Sequence, residues 1–193
     1  MKELVIASNN QGKIREIRHL LQDFELLSLA DISFTDEIEE PYDTFEENAQ
    51  VKAATIFNFS GKNVFADDSG ICVDALNGAP GVFSARYAGE PKDDDRNLQL
   101  VLENIKNATN RAAHYKAVIC LIWEEQTYFF EGICRGTLLD APRGGGGFGY
   151  DPIFVPDGYD QTFAELSLDI KNQISHRGKA LKAMAAFLNE GMR

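Results

Sequence analysis

The chain has 193 residues, of which 44 % are hydrophobic and 25 % charged, and 30 acidic against 19 basic side chains give a net charge of −11. This length predicts one domain, and the composition is that of a folded globular protein, which excludes wholesale disorder. The negative charge argues against nucleic acid or an anionic membrane as a partner. The negative net charge is compatible with a small anionic ligand that is bound by a few local cations.

Cysteine usage and the apolar runs indicate the cellular setting. Cys72, Cys120 and Cys134 are widely spaced, and none belongs to a CxxC pair. This favours reduced, buried thiols over a zinc site or a disulfide framework. The apolar run Leu4–Ala7 is too short for a signal peptide, and no later window approaches the ~20 apolar residues of a membrane span. We therefore expect a cytoplasmic protein with no membrane segment.

Apolar residues occur either in short continuous runs, typical of buried strands, or at helical spacing, typical of amphipathic helices. Thr44 and Glu47 have the spacing of a capping box, which predicts a helix start. The first half of the chain predicts a strand at Leu4–Ala7, a helix from Lys13 to about Gln22, a strand at Glu25–Leu29, a helix from Thr44 to about Phe59 ended by Gly61, and strands at Val64–Ala66 and Ile71–Val73. The second half predicts a helix that follows Asp93–Asp95 and reaches about Lys106, an antiparallel hairpin of His114–Glu124 and Thr127–Arg135, a strand at Pro152–Val155 and a helix from Gly178 to about Leu188. One compact α/β unit with a partly antiparallel central sheet is the simplest arrangement.

The turn between the first strand and the first helix is a candidate anion site. It contains Ser8, Asn9, Asn10, Gln11, Gly12 and Lys13. Backbone amides at a helix start, with a lysine just inside it, suit a phosphate group. The P-loop pattern is absent, so an ordinary Asn-rich turn with a solvated lysine stays an alternative.

Two acidic clusters are candidate catalytic or metal sites. Asp67 and Asp68 directly follow the run Val64–Ala66, and adjacent carboxylates at a strand end point to different sides. One of them can hold Mg²⁺ or accept a proton from water. The alternative is a turn in which Asp67 and Ser69 cap the backbone. Asp93–Asp95 precede a helix, where acids are expected from capping and the helix dipole alone.

A glycine-rich segment, residues 144–149, formally contains the spacing GxGxxG. A dinucleotide site is rejected because the predicted element after it is a strand and not a helix. The segment carries Phe148, followed by Asp151, and a ring on a flexible loop can stack on a base. The alternative is that Phe148 anchors the loop to the core.

Cations concentrate just before the last predicted helix. Lys171, His176 and Arg177 lie there in an otherwise acidic protein. They are candidate ligands for an anionic substrate. The alternative is that Ser175 caps the helix and the cations are solvated.

Seven short motifs follow one another along the chain. They are Ser8-Asn9-Asn10-x-Gly12-Lys13, Glu46-x-Asn48-Ala49, Ala66-Asp67-Asp68-Ser69-Gly70, Gly78-Ala79-Pro80-Gly81, Ser84-Ala85-Arg86-Tyr87, Gly147-Phe148-Gly149-Tyr150-Asp151-Pro152 and Ser175-His176-Arg177. The ordered set resembles the inosine/xanthosine triphosphate pyrophosphatases, from the first strand to the last helix. The resemblance implies an α/β fold with an elongated mixed central sheet flanked by helices, in two lobes with the active cleft between them. It implies one nucleoside triphosphate pyrophosphatase domain over residues 1–193, and a homodimer.

The resemblance also implies Mg²⁺-dependent hydrolysis of ITP, dITP and XTP to the monophosphate and pyrophosphate. It makes Asp68 the proton acceptor and, with Glu39, a metal ligand. It implies substrate contacts for Ser8, Asn9, Asn10, Gln11, Gly12, Lys13, Ser69, Phe148, Gly149, Tyr150, Asp151, Lys171, His176 and Arg177. A guanidinium only donates hydrogen bonds, so Arg177 is expected to favour a 6-oxopurine over adenine. A non-catalytic nucleotide-binding protein and a pyrophosphatase for modified pyrimidine triphosphates are the alternatives.

Overall fold

A computed structural model describes residues 3–190. Six strands form one sheet in the order β2-β1-β3-β4-β5-β6, with β1 parallel to β2 and β3, and β6 antiparallel to β5. The strands are β1 (Glu3–Ile6), β2 (Glu25–Leu27), β3 (Val64–Val73), β4 (Ala112–Trp123), β5 (Gln126–Leu138) and β6 (Phe154–Pro156). The helices are α1 (Gln11–Leu20), α2 (Phe45–Ser60), α3 (Asp94–Asn104), α4 (Leu168–Ile174) and α5 (His176–Glu190). The predicted α/β class with a mixed central sheet is confirmed.

The chain divides into two compact units, each with its own core. Unit 1 comprises the residues up to Asp68, Ala117–Gly132 and the residues from Arg177 onward, and unit 2 comprises Ser69–Lys116 and Ile133–His176. The core of unit 1 packs side chains of β1, α1 and α5, among them Leu4, Ile17 and Leu181. The core of unit 2 packs side chains of β3, α3 and β6, among them Ile71, Val101 and Phe154.

The starts of the first two helices follow their capping residues. Asn10 caps α1, because its side-chain oxygen accepts the N–H of Lys13 at 3.0 Å. The helix therefore begins at Gln11, two residues before the predicted start at Lys13. Thr44 caps α2 and accepts the N–H of Glu47 at 3.2 Å, and this prediction is confirmed.

Two predicted details are wrong, and one helix was missed. Residues 67–70 are not a turn, because β3 runs unbroken from Val64 to Val73. A side chain at position 70 would collide with the carbonyl of Gly81, so Gly70 lets the backbone pass close by. The strand predicted at Pro152–Val155 is a 3₁₀ turn, Asp151–Ile153, followed by β6. The helix α4 had not been predicted.

None of the three cysteines forms a disulfide within the described residues. Cys120 and Cys134 are buried as predicted, whereas Cys72 is only half-buried. Within residues 3–190, no helix combines the length and the hydropathy needed to cross a membrane.

Candidate active site

Asp67 and Asp68 lie side by side in β3, and both are buried, with exposed fractions of 3 % and 5 %. Successive side chains of a strand point to opposite faces of the sheet. The two carboxylates consequently meet different partners. Buried charges are tolerated only when they are paired, so the partners define what each acid can do.

Asp67 is held by two cations. Its Oδ2 atom lies 2.8 Å from Nζ of Lys13, and accepts hydrogen bonds from Nε and Nη2 of Arg177 at 3.3 Å. Burial by itself raises the pKa of Asp67, but the charges of Arg177 and Lys13 outweigh it and hold that pKa well below its ordinary value. Its lowered pKa and its two cationic partners make Asp67 a weaker candidate for the proton acceptor than Asp68.

Glu16 completes this cluster in unit 1. Its Oε2 accepts a hydrogen bond from Nη1 of Arg177, and its exposed fraction is 2 %. Glu16 lies one helical turn after Lys13 on α1, so both side chains project from the same face. Sequence reasoning missed Glu16. The available signal was its position one helical turn after Lys13, which places an acid and a cation on one face of the helix.

Asp68 has a different environment. Its Oδ1 accepts a hydrogen bond from Nζ of Lys52 at 3.0 Å, and the same Nζ lies 2.5 Å from Oε1 of Glu40. Burial raises the pKa of Asp68, and the charge of Lys52 offsets this only in part. Among residues 3–190, no group hydrogen-bonds the buried Oδ2 of Asp68. One oxygen is thus fixed by Lys52, and the other is buried without a hydrogen-bond partner among the described residues.

The Oδ2 atom of Asp68, unpartnered within residues 3–190, is suited to be a ligand of a divalent cation. Mg²⁺ usually takes one or two carboxylates, with phosphate oxygens and water completing the shell. Glu39, the expected second ligand, is exposed, whereas its neighbour Glu40 contacts Lys52. No cluster of three metal-ligating side chains occurs within the described part of the chain. Asp68 with a single further carboxylate matches what Mg²⁺ requires.

The turn before α1 is organised by its own side chains. Oγ of Ser8 accepts the N–H of Asn10 at 3.2 Å, and the carbonyl of Asn9 accepts Nε2 of Gln11 at 3.4 Å. Asn10 takes the N–H of Lys13. The amides of Gln11 and Gly12 belong to the first turn, where a helix supplies no acceptor of its own. These amides and the Lys13 ammonium are suited to an anion.

In unit 2, a second cluster surrounds Asp151, whose exposed fraction is 3 %. Its Oδ2 accepts Nζ of Lys171 at 2.5 Å and the backbone N–H of Phe148 at 2.9 Å. Nζ of Lys171 also lies 4.9 Å from the centroid of the Phe148 ring. The predicted residues Phe148, Asp151 and Lys171 are therefore brought together.

Tyr115 and His176 extend this cluster, and Tyr150 makes a separate contact. The ring of His176 stacks on Tyr115 with centroids 4.6 Å apart and an interplanar angle of 10°, and the Tyr115 hydroxyl lies 3.5 Å from Oδ1 of Asp151. Tyr150 donates its hydroxyl to the carbonyl of Ser84 at 2.7 Å. Sequence reasoning missed Tyr115, which reads as an ordinary strand residue of β4.

Ser69 and Gly149 are two further predicted contact residues, and Asn172 had not been predicted. Ser69 is half-buried in β3, and the N–H of Gly149 is bound by Asp94. Asn172, next to Lys171, is 2 % exposed, and neither polar atom of its amide has a hydrogen-bond partner within residues 3–190. Buried unsatisfied amides are rare, and they concentrate at functional sites and at positions of ordered water.

Comparisons with known proteins agree along the whole chain. The sequence model of the Ham1 family matches residues 4–187. The dITP/XTP pyrophosphatase of Flavobacterium johnsoniae is 49 % identical over 187 residues, which cover 96 % of this chain and 97 % of that protein. The dITP/XTP pyrophosphatase of Bacillus subtilis is 47 % identical over 193 residues, covering 97 % and 98 %. The solved structure of the Staphylococcus aureus Ham1 protein has a TM-score of 0.89 and 44 % identity, and all of both chains is covered.

Proposed function

This chain belongs to the Ham1 family, and on that premise we propose that it hydrolyses ITP, dITP and XTP to the nucleoside monophosphate and pyrophosphate, removing them from the nucleotide pool. The observation that carries the proposal is the environment of Asp68. Lys52 fixes one carboxylate oxygen of Asp68, and the other is buried without a hydrogen-bond partner among the described residues. Burial raises the pKa of Asp68. A carboxylate in this state is suited to receive a proton from water.

The chemistry needs one water molecule. Its oxygen forms a bond to the α-phosphorus, the bond between that phosphorus and the bridging oxygen to the β-phosphate breaks, and pyrophosphate leaves. The proton of the water passes to the Asp68 carboxylate, which Lys52 holds in place. Asp68 and Glu39 would hold Mg²⁺, which when bound neutralises phosphate charge.

Lys13 is expected to bind the phosphates. Its exposed side-chain fraction of 14 % leaves it within reach of a ligand, although it already contacts Asp67. Lys13→Ala should weaken ITP binding by about 10-fold, the loss expected for a hydrogen bond to a charged group, and weaken IMP binding less. Arg15→Ala, an exposed cation of the same helix, is the control. Equal losses for ITP and IMP in calorimetric titrations would contradict this role.

Removal of Mg²⁺ is expected to abolish turnover. With excess EDTA, ITP hydrolysis should fall to the background rate, because the triphosphate charge is then left without its divalent partner. Adding Mg²⁺ beyond the chelator should restore the rate. Full activity in EDTA would overturn the assignment of Asp68 and Glu39 as metal ligands.

Product analysis tests the reaction itself. The protein is incubated with ITP, XTP or ATP in Mg²⁺, and the products are separated by ion-exchange chromatography. We expect IMP and pyrophosphate from ITP, and far slower turnover of ATP. Orthophosphate as the only phosphate product would contradict the reaction. Tight ITP binding without turnover would point to a non-catalytic nucleotide-binding protein.

We further propose a cytoplasmic homodimer. Cys72, Cys120 and Cys134 form no disulfide within the described residues, which is compatible with a reducing compartment. Sedimentation equilibrium over a range of concentrations measures the oligomeric state, and a mass that stays at the 21.4 kDa of one chain would contradict the dimer.

A further inference from the structure

One acid of the triplet Asp93–Asp95 makes a contact that helix capping does not explain. Asp93 is the capping residue of α3, since its Oδ1 accepts the N–H of Arg96 at 2.9 Å. Asp94 instead accepts, through Oδ2, the backbone N–H of Gly149 at 2.9 Å, 55 residues further along the chain. The first turn of α3 is therefore tied to the glycine-rich segment, and both belong to unit 2.

This bond has a counterpart on the preceding amide. The N–H of Phe148 is bound by Asp151, and the N–H of Gly149 is bound by Asp94, both at 2.9 Å. These two amides belong to the two peptide planes that flank the Cα atom of Phe148. Because peptide planes are rigid, holding both of them fixes the two backbone dihedrals of Phe148. The direction in which its ring leaves the backbone is thereby set.

The surrounding segment cannot hold this direction by itself. Four of the five residues that precede Gly149 are glycines, residues 144–147, and Gly147 and Gly149 have φ angles of +71° and +59°. Glycine loses more conformational freedom on ordering than any other residue, so such a segment needs external bonds. Gly146 has one, from its N–H to the carbonyl of Ala164 at 3.0 Å. Beyond that point, Asp151 and Asp94 hold the segment.

We propose that Asp94 is a positioning residue for base binding, which orients the Phe148 ring through the amide of Gly149. This rests on the proposed function and on the substrate contact that the family resemblance implies for Phe148. Stacking uses the face of a base and not its hydrogen-bonding edge, so it serves every purine alike. Loss of Asp94 should therefore raise KM for all purine triphosphates by a similar factor and leave kcat unchanged, the signature of lost uniform binding.

The test compares the affinity for IMP, which carries a purine base, with the affinity for inorganic pyrophosphate, which carries none. Asp94→Ala should weaken IMP binding by about 10-fold, as expected for a lost charge-assisted hydrogen bond, and leave the affinity for inorganic pyrophosphate unchanged. Asp94→Asn keeps an oxygen acceptor and should restore most of the IMP affinity. Asp95→Ala, in the same exposed helical turn, is the matched control. Thermal unfolding checks that each variant is folded.

A double-mutant cycle tests whether Asp94 acts through the ring. In a Phe148→Ala background, Asp94→Ala should cause no further loss of IMP affinity. Unchanged IMP affinity in Asp94→Ala, parallel losses for IMP and pyrophosphate, or additive losses in the cycle would overturn the proposal. These are binding measurements, so they stand apart from the proposed function, which fails only if the unmodified protein does not convert ITP to IMP and pyrophosphate.

Discussion

Asp68→Asn is expected to lower kcat for ITP by at least ~10²-fold, the low end of the contribution of a general base, while the chain still folds. Asparagine has the shape of aspartate and can still accept the hydrogen bond of Lys52, but it cannot take a proton from water. It also removes a charge from the carboxylate pair expected to bind Mg²⁺. Steady-state rates with ITP, together with circular dichroism of the variant, measure both parts of this expectation.

The matched control for Asp68→Asn is Asp74→Asn. Asp74 directly follows β3 and is exposed, so the same chemical change occurs close by in the chain, away from the buried cluster. It should leave kcat within the experimental error. A near-normal kcat in a folded Asp68→Asn variant would show that another group accepts the proton.

Arg177→Ala is expected to lower the free energy of unfolding by about 3–5 kcal/mol, the range for breaking a buried ion pair by removing one partner. Its guanidinium donates to Glu16 and to Asp67, and all three residues have exposed fractions of 2–3 %. Lys13 still contacts Asp67, but Glu16 loses this buried cation. Urea unfolding measures the change, and Lys179→Ala, an exposed cation of the same helix, is the control.

A second substitution sharpens this prediction. Replacing both partners of a buried pair by apolar residues is far less destabilising than removing one, because no uncompensated charge is left. The double variant Arg177→Met, Glu16→Leu should therefore be more stable than Arg177→Met alone. An exposed ion pair contributes about 1 kcal/mol or less. If the free energy of unfolding of Arg177→Met lay within about 1 kcal/mol of that of the unmodified protein, solvent would have to reach the pair.

These contacts also constrain how Arg177 can select a base. Nε, Nη1 and Nη2 each donate to a carboxylate of Glu16 or Asp67, so a 6-oxo group would have to share the guanidinium with them. The role of Arg177 in reading the base stays a prediction. The ratio of kcat/KM for ITP to that for ATP in Arg177→Lys addresses it, since lysine keeps the charge and loses the planar fork.

Local signals in the sequence were sufficient for most elements of the fold. The cap at Thr44 and the turn at Gly61 define α2 without reference to the rest of the chain. The helix α4 was not predicted because its seven residues span only two turns, which are too few for a helical period to be recognised. The continuity of β3 was not predicted because the polar residues 67–70 have the composition of a turn. Only partners that are distant in the sequence make these residues suited to a buried strand.

The same limit applies to the candidate site. Asp68 and Lys13 stand in recognisable motifs, but the residues that set their chemistry do not. Glu16 is 161 positions away from Arg177, and Lys52 is 16 positions from Asp68. No periodicity links such pairs, because the fold alone brings them together. Sequence reasoning therefore found the groups expected to react but missed Glu16 and Lys52, two of the buried charges that hold this cluster together.

The alternation of side chains along β3 separates two acids that are neighbours in the chain. The charges of Arg177 and Lys13 hold the pKa of Asp67 well below its ordinary value, whereas burial shifts the pKa of Asp68 upward. Two carboxylates that share one proton would titrate as a coupled dyad, with values belonging to the pair. Here the ionisations are far apart, so a rate that depends on this pair follows a single proton and rises with pH in one step.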